Sequence, residues 1–139
     1  MSETEQETLY PSWARDTIRY CDTDRQGHVN NAVFVTLLET GRVPILYSRE
    51  RPILEPGTAF VIARLELDFK SELNWPGEAK VGTRVQSIGR SSIRLQQAIF
   101  QNDVCAANAE TVIVLMDETT RRSRPLSEAA IARFKELSS

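Results

Sequence analysis

The segment "NAVFVTLLETGRVPILYSRE", residues 31–50, constrains the fold most, because it is long enough for a helix and apolar around most of its circumference. Ala32, Val33, Phe34, Val35, Leu37, Leu38, Val43, Ile45 and Leu46 fall on nearly every side of a helical spiral, where a surface helix would show one stripe. Such a helix has to be buried, so the rest of the chain must supply a cover. Asn30 or Asn31 stands ready to cap its start, because an asparagine side chain accepts from the unpaired amides of a first turn. Pro44 lacks an amide donor and clashes with the turn before it, so it should kink or end the helix.

The cover is legible downstream. From Phe60 to Asp117 the sequence alternates as strands do, and "ARLELDF" sets Ala63, Leu65, Leu67 and Phe69 against Arg64, Glu66 and Asp68. Three more strands read as "AKVGTRVQSI", "SSIRLQQAIF" and "CAANAETVIVLM", with turns at Gly89-Arg90 and Gln101-Asn102-Asp103. Upstream, "WARDTIRYC" (13–21) is rich in aromatic and β-branched residues and reads as a further strand. "SEAAIARFKELSS" closes the chain as a short amphipathic helix capped by Ser127, with Ile131, Phe134 and Leu137 on its apolar side. The order of strand, buried helix, four strands and short helix defines an α+β class with an antiparallel sheet curled around the helix.

At 139 residues the chain fits one domain, expected over 10–139 behind a solvated leader of residues 1–9. No apolar run approaches the roughly 20 residues of a membrane span, and the acidic start "MSETEQETLY" lacks the features of a secretory signal. These traits predict a cytoplasmic protein. A net charge of -2 gives no field for nucleic acid and points to a small-molecule partner. Cys21 and Cys105 lack metal-ligand spacing and are expected to be buried thiols.

Between strand and helix lies "RYCDTDRQGHVNN", residues 19–31, which holds the sole histidine of the chain. Asp22, Asp24, Gln26 and Gly27 match four positions of a calcium loop, but the twelfth position is Val33 and a strand precedes it where a helix is needed. One histidine and two aspartates do not complete a zinc set. One glycine is too few to wrap a backbone around a phosphate. What remains is chemistry: the helix start offers unpaired amides beside a carboxylate and an imidazole, which suits attack on a polarised carbonyl.

The pattern D-T-D-x-x-G-H-V-N-N-A, placed after a strand and before a helix bearing Glu39 and Arg42, resembles the hotdog-fold acyl-CoA thioesterases of the 4-hydroxybenzoyl-CoA thioesterase type. "SIGRSSIRL" and "VIVLMDETTRRSRPL" extend that resemblance over roughly residues 13 to 137. It implies a hotdog fold, an antiparallel sheet of about five strands wrapped around a long central helix, with a short C-terminal helix. It also implies hydrolysis of an acyl thioester to acid and thiol without metal or redox cofactor, coenzyme A entering only as part of the substrate.

By the same resemblance Asp24 is the catalytic carboxylate, nucleophile or general base, and His28 is a catalytic candidate beside it. The Asn31 amide takes the thioester oxygen, with Gly27 and Val29 beside it in the substrate-binding loop. Asp22 and Glu39 support these groups, and Arg42 is close enough to Glu39 for an ion pair. Arg90, Ser91, Arg121 and Arg122 are candidates for the coenzyme A phosphates, for which arginine is well suited. The active site is expected between two subunits of a homodimer or homotetramer, where the packing of Phe34, Leu38, Tyr47, Phe60 and Ile62 sets the acyl tunnel. The alternatives are a hydratase or dehydratase on the same fold and a non-catalytic acyl-CoA sensor.

Overall fold

The computed structural model describes residues 9–138. Its elements are β1 (Ser12–Ile18), a single 3-10 turn (Tyr20–Asp22), α1 (Asn31–Leu46), β2 (Thr58–Phe69), β3 (Gly77–Ile88), β4 (Ser92–Gln101), β5 (Val104–Asp117) and α2 (Glu128–Glu136). The five strands form one sheet in the order β1-β3-β4-β5-β2, and every neighbouring pair is antiparallel. This is the expected strand, helix, four strands, helix sequence. The leader expected over residues 1–9 lies almost wholly outside the described residues.

Several local expectations are corrected. The first strand stops at Ile18, and residues 20–22 turn instead of extending. The turn puts Cys21 into solvent and Cys105 is half-buried, so neither is the buried thiol expected. Pro44 lies inside α1 without ending it. In β2 the register shifts between Ile62 and Arg64, so Ala63 is the extra residue of a bulge and is not paired with the Leu65 face. The shift reverses the side-chain parity. Phe60 and Ile62 before it, and Leu65, Leu67 and Phe69 after it, all stand opposite the buried β5 positions Leu115, Ile113, Thr111, Ala109 and Ala107.

The helix is also less enclosed than its composition demands. It packs chiefly over β1, β3 and β4, burying Phe34, Leu37, Leu38, Gly41, Arg42, Ile45 and Leu46. Val35 and Val43 stay exposed, and Val43 lines a depression with exposed Ile62 of the edge strand β2. One chain therefore covers only half of α1.

Two apolar clusters hold helix to sheet. One, toward the start of α1, gathers Ile18, Val29, Phe34, Leu37, Leu73, Val81 and Ile99; the other, toward its end, gathers Ile45, Val85, Leu95, Ile113, Leu115, Ala130 and Phe134. A polar band separates them. Gln97, 1% exposed, donates to the Leu38 carbonyl at 2.9 Å and to Thr83 Oγ1 at 3.0 Å, and accepts from buried Arg42 at 3.4 Å. Gly41 lets the helix approach this band: a Cβ there would stand 2.5 Å from Val81 Cγ1 and 2.8 Å from Gln97 Nε2. The Ser127 side chain caps α2 by accepting from the Ala130 amide, and Ala130 and Phe134 turn inward to close the second cluster.

Candidate active site

The loop between β1 and α1 is tied down by its own backbone. The Asp24 amide donates to the His28 carbonyl at 2.7 Å, the Asn30 amide donates to the Asp22 carbonyl at 2.8 Å, and Thr23 pairs with Val29. Gly27 sits in this small hairpin at φ +82°, with open space where a Cβ would go, so conformation and not crowding requires glycine. Below it, Asp22 is 7% exposed and its carboxylate accepts from the Arg19 amide at 2.8 Å and the Arg19 guanidinium at 3.1 Å. Asp22 thus anchors the loop while Asp24 stands exposed at its tip.

Asp24 Oδ1 accepts from the Gln26 amide at 2.8 Å and the His28 amide at 3.2 Å, which fixes the carboxylate and leaves Oδ2 without a protein donor among the described residues. Asn30 is the N-cap of α1, its side chain accepting from the Ala32 amide at 2.9 Å. The Val33 amide donates to the Asn30 carbonyl. The amide of Asn31, first residue of the helix, has no acceptor among the described residues, as expected of a first-turn helical N–H.

These groups share an open cleft of about 920 Å³, whose walls include Asp24, His28, Val29, Asn31, Phe34, Phe69, Lys70, Glu72, Asn74 and Gln101. Phe34 and Phe69 meet edge to face at 5.0 Å and form its apolar side. The far wall comes from residues 70–74, which sequence reading passed over. It is docked by Val29, whose amide donates to the Leu73 carbonyl at 3.0 Å, and by a bridge between His28 and Asn74. His28 Nε2 lies 3.1 Å from Glu72 Oε2. A usable signal existed, because an antiparallel order returns the turn before β3 to the end of the sheet where β1 stops.

The other expected residues do not join this cleft within one chain. Glu39 and Arg42 line a separate depression of about 330 Å³ with Tyr47, Phe60 and Ile62, while Leu38 is fully buried. No Glu39–Arg42 ion pair forms. Arg42 is drawn into the core instead, where burial lowers its pKa and the Glu39 charge partly opposes that. Arg90 and Ser91 sit between β3 and β4, and Arg121 and Arg122 follow β5, all at the sheet end away from Asp24. Arg121 adopts φ 64° in the turn after β5.

A five-stranded antiparallel sheet curled around one long helix, with Asp24 and the first residue of that helix lining one cleft, is the α+β hotdog arrangement. The model of the thioesterase-like superfamily matches residues 18–134, and the chain belongs to that family. A Thermus thermophilus thioesterase, solved with coenzyme A and zinc, is 33% identical and superposes with a TM-score of 0.77 over 92% of this chain and 94% of its own. A predicted thioesterase from Bacillus stearothermophilus is 25% identical, with a TM-score of 0.80 over 92% and 96% of the two chains. The Escherichia coli acyl-CoA thioester hydrolase YbgC is 23% identical over 86% of this chain and 92% of its own. Among the described residues no three of His, Cys, Asp and Glu converge on a metal position, and no helix is long and apolar enough to cross a membrane.

Proposed function

We propose that this chain hydrolyses an acyl-CoA to a free acid and coenzyme A, with Asp24 as the catalytic carboxylate and the Asn31 amide as oxyanion donor. The observation that carries the reading is the shared cleft: Asp24, whose Oδ2 has no donor among the described residues, and Asn31, whose N–H has no acceptor among them, line the same space. A thioester carbonyl placed there has its oxygen at the positive end of α1, where charge developing in the tetrahedral intermediate is stabilised. Asp24 attacks the carbonyl carbon or takes a proton from attacking water. Val29 and Gly27 shape the loop, and Phe34 and Phe69 receive the apolar part of the acyl group.

The working unit is a homodimer in the cytoplasm. Val35, Val43, Tyr47, Ile62 and Phe69 expose apolar surface beside the free edge of β2, which a second copy paired antiparallel through β2 would cover. Such pairing sets the end of one sheet that bears Arg90, Ser91, Arg121 and Arg122 beside the Asp24 cleft of the other. Those residues then reach the phosphates of coenzyme A. Sedimentation of the pure protein as a monomer would remove this part of the reading.

The decisive experiment follows thiol release from a panel of acyl-CoAs by wild type and Asp24→Asn. Turnover in the first, with a loss of about two to four orders of magnitude in the second, supports the assignment. Equal rates would sink it. Tight acyl-CoA binding without turnover by wild type would mark a sensor, and water addition without thiol release a hydratase.

A further inference from the structure

We infer that Glu72 is a positioning residue for this reaction, holding the His28 imidazole by Nε2 so that Nδ1 is the ring nitrogen free to carry a proton. The inference rests on the thioesterase reading above but is carried by a different set of contacts. His28 Nε2 and Glu72 Oε2 are 3.1 Å apart, and both residues line the cleft that holds Asp24 and Asn31. The two atoms lie within ion-pair distance and an ionised carboxylate offers only acceptors, so the contact favours the imidazole with its hydrogen on Nε2, and in the neutral ring the lone pair then belongs to Nδ1.

The approach of the two side chains is built into the backbone. The Val29 amide donates to the Leu73 carbonyl at 3.0 Å, and His28 pairs with Asn74, so the residues flanking each partner are fastened across the cleft. Asn74 is fixed in turn by the Gln101 side chain at the end of β4, which accepts from its amide at 2.9 Å and donates to its carbonyl at 2.8 Å. None of these bonds uses the Glu72 carboxylate. The pair itself is open to solvent, with side chains 36% and 61% exposed, so it adds little stability and its role must be read in kinetics.

The chemistry has a place for such a group. As the acyl carbon–sulfur bond breaks and a carbon–oxygen bond to water forms, water loses one proton and the thiolate sulfur gains one. Where Asp24 attacks the carbonyl carbon, the thiolate departs, and Nδ1 of His28 takes the proton of the water that cleaves the acyl–Asp24 anhydride and passes it to sulfur. Where Asp24 itself takes the proton of the water, Nδ1 relays that proton from Asp24 to sulfur, and either way the enzyme is left unchanged. Without the contact the ring rotates about its χ angles and Nδ1 samples several positions; the Glu72 contact holds the ring in one orientation.

The test uses the full chain and the best acyl-CoA of the panel. Glu72→Ala should lower kcat between about tenfold and a hundredfold, with KM within about twofold and the melting temperature unchanged. Glu72→Gln keeps an acceptor oxygen and should recover at least half of that loss on a logarithmic scale. His28→Gln/Glu72→Ala should be no slower than His28→Gln alone. Because His28 is the only histidine, the ¹⁵N shifts of its imidazole report directly which nitrogen carries the proton, and they should move on Glu72→Ala. Wild-type kcat in Glu72→Ala, additive losses in the double variant or unchanged imidazole shifts would each overturn the inference. If wild type releases no thiol from any substrate, the function proposed above fails, and the imidazole shifts alone then decide whether Glu72 positions His28.

Discussion

The two apolar clusters on either side of the polar band serve opposite demands. The one at the end of α1 is closed: α2 lies over it, and Ile45, Leu95 and Phe134 have no exposed surface. The one at the start of α1 runs out into an open cleft, where Phe69 is 50% and Val104 55% exposed. Asp24, His28 and Glu72 stand on loops at that open end, set in place by backbone pairing and not by burial of their own side chains. Stability is concentrated at the end away from Asp24, which leaves the cleft end free to present polar groups at little cost to the fold.

The largest expected effects separate these roles. Asp24→Asn removes the reacting carboxylate from an exposed loop tip, so activity should collapse while the melting temperature changes by no more than an ordinary surface substitution allows. Phe134→Ala should do the reverse. It empties a fully buried ring site and is expected to cost about 3–5 kcal/mol of stability, measured by denaturant unfolding, with kcat per folded molecule retained. A Phe134→Ala protein that stays folded but turns over as slowly as Asp24→Asn would show that the two ends are not separable.

Gly41→Ala tests the band that joins them. Alanine would gain roughly 1 kcal/mol in helix propensity, yet its Cβ would fall 2.5 Å from Val81 Cγ1, a branched side chain with no room to swing away. The overpacking term, about 1–3 kcal/mol, should prevail and lower stability. Because the helix must lift from β3 and β4 together, both ends should respond, with a lower melting temperature and a reduced kcat. A more stable Gly41→Ala protein would mean that the contact relaxes locally and that α1 is not held against the sheet here.

The elements that declare themselves by local pattern were legible in the sequence, and those created by pairing were not. The apolar run of α1, the Asn30 cap, the Ser127 cap and the turn at Asn102 and Asp103, which adopt φ 51° and 64°, all follow from residue chemistry within a few positions. The bulge at Ala63 left no mark, because Ala63 continues the alternation of Leu65, Leu67 and Phe69 and only the register against β5 shows it to be extra. Half of the candidate site was hidden for the same reason. Glu72 lies 44 positions from His28, and what joins them is a bridge to Asn74 and a bond to Leu73, neither of which a local pattern encodes. The expected Glu39–Arg42 pair failed through packing: Arg42 is 4% exposed and turns to Gln97, whereas Glu39 stays in solvent.

The smallest expected effect lies at the closed end, where Arg51 clasps Glu136 and links the segment after α1 to the last turn of α2. The Arg51 hydrogen bonds hold the Glu136 carboxyl below its ordinary value of 4.5. A carboxyl lowered on folding stabilises the native state above its unfolded value, and that contribution disappears as pH falls through the lowered folded value. Wild type should therefore melt slightly above Glu136→Gln at neutral pH, with the gap narrowing once pH drops under 4.5 and closing when the carboxylate is protonated. Both partners are exposed, so added salt should shrink the gap at any pH. Thiol release at neutral pH should be the same in both proteins, since nothing in this pair touches the cleft. A change in kcat without a change in melting temperature would break the separation of the two ends at its weakest point, by showing that α2 reports to the Asp24 loop through the helix between them.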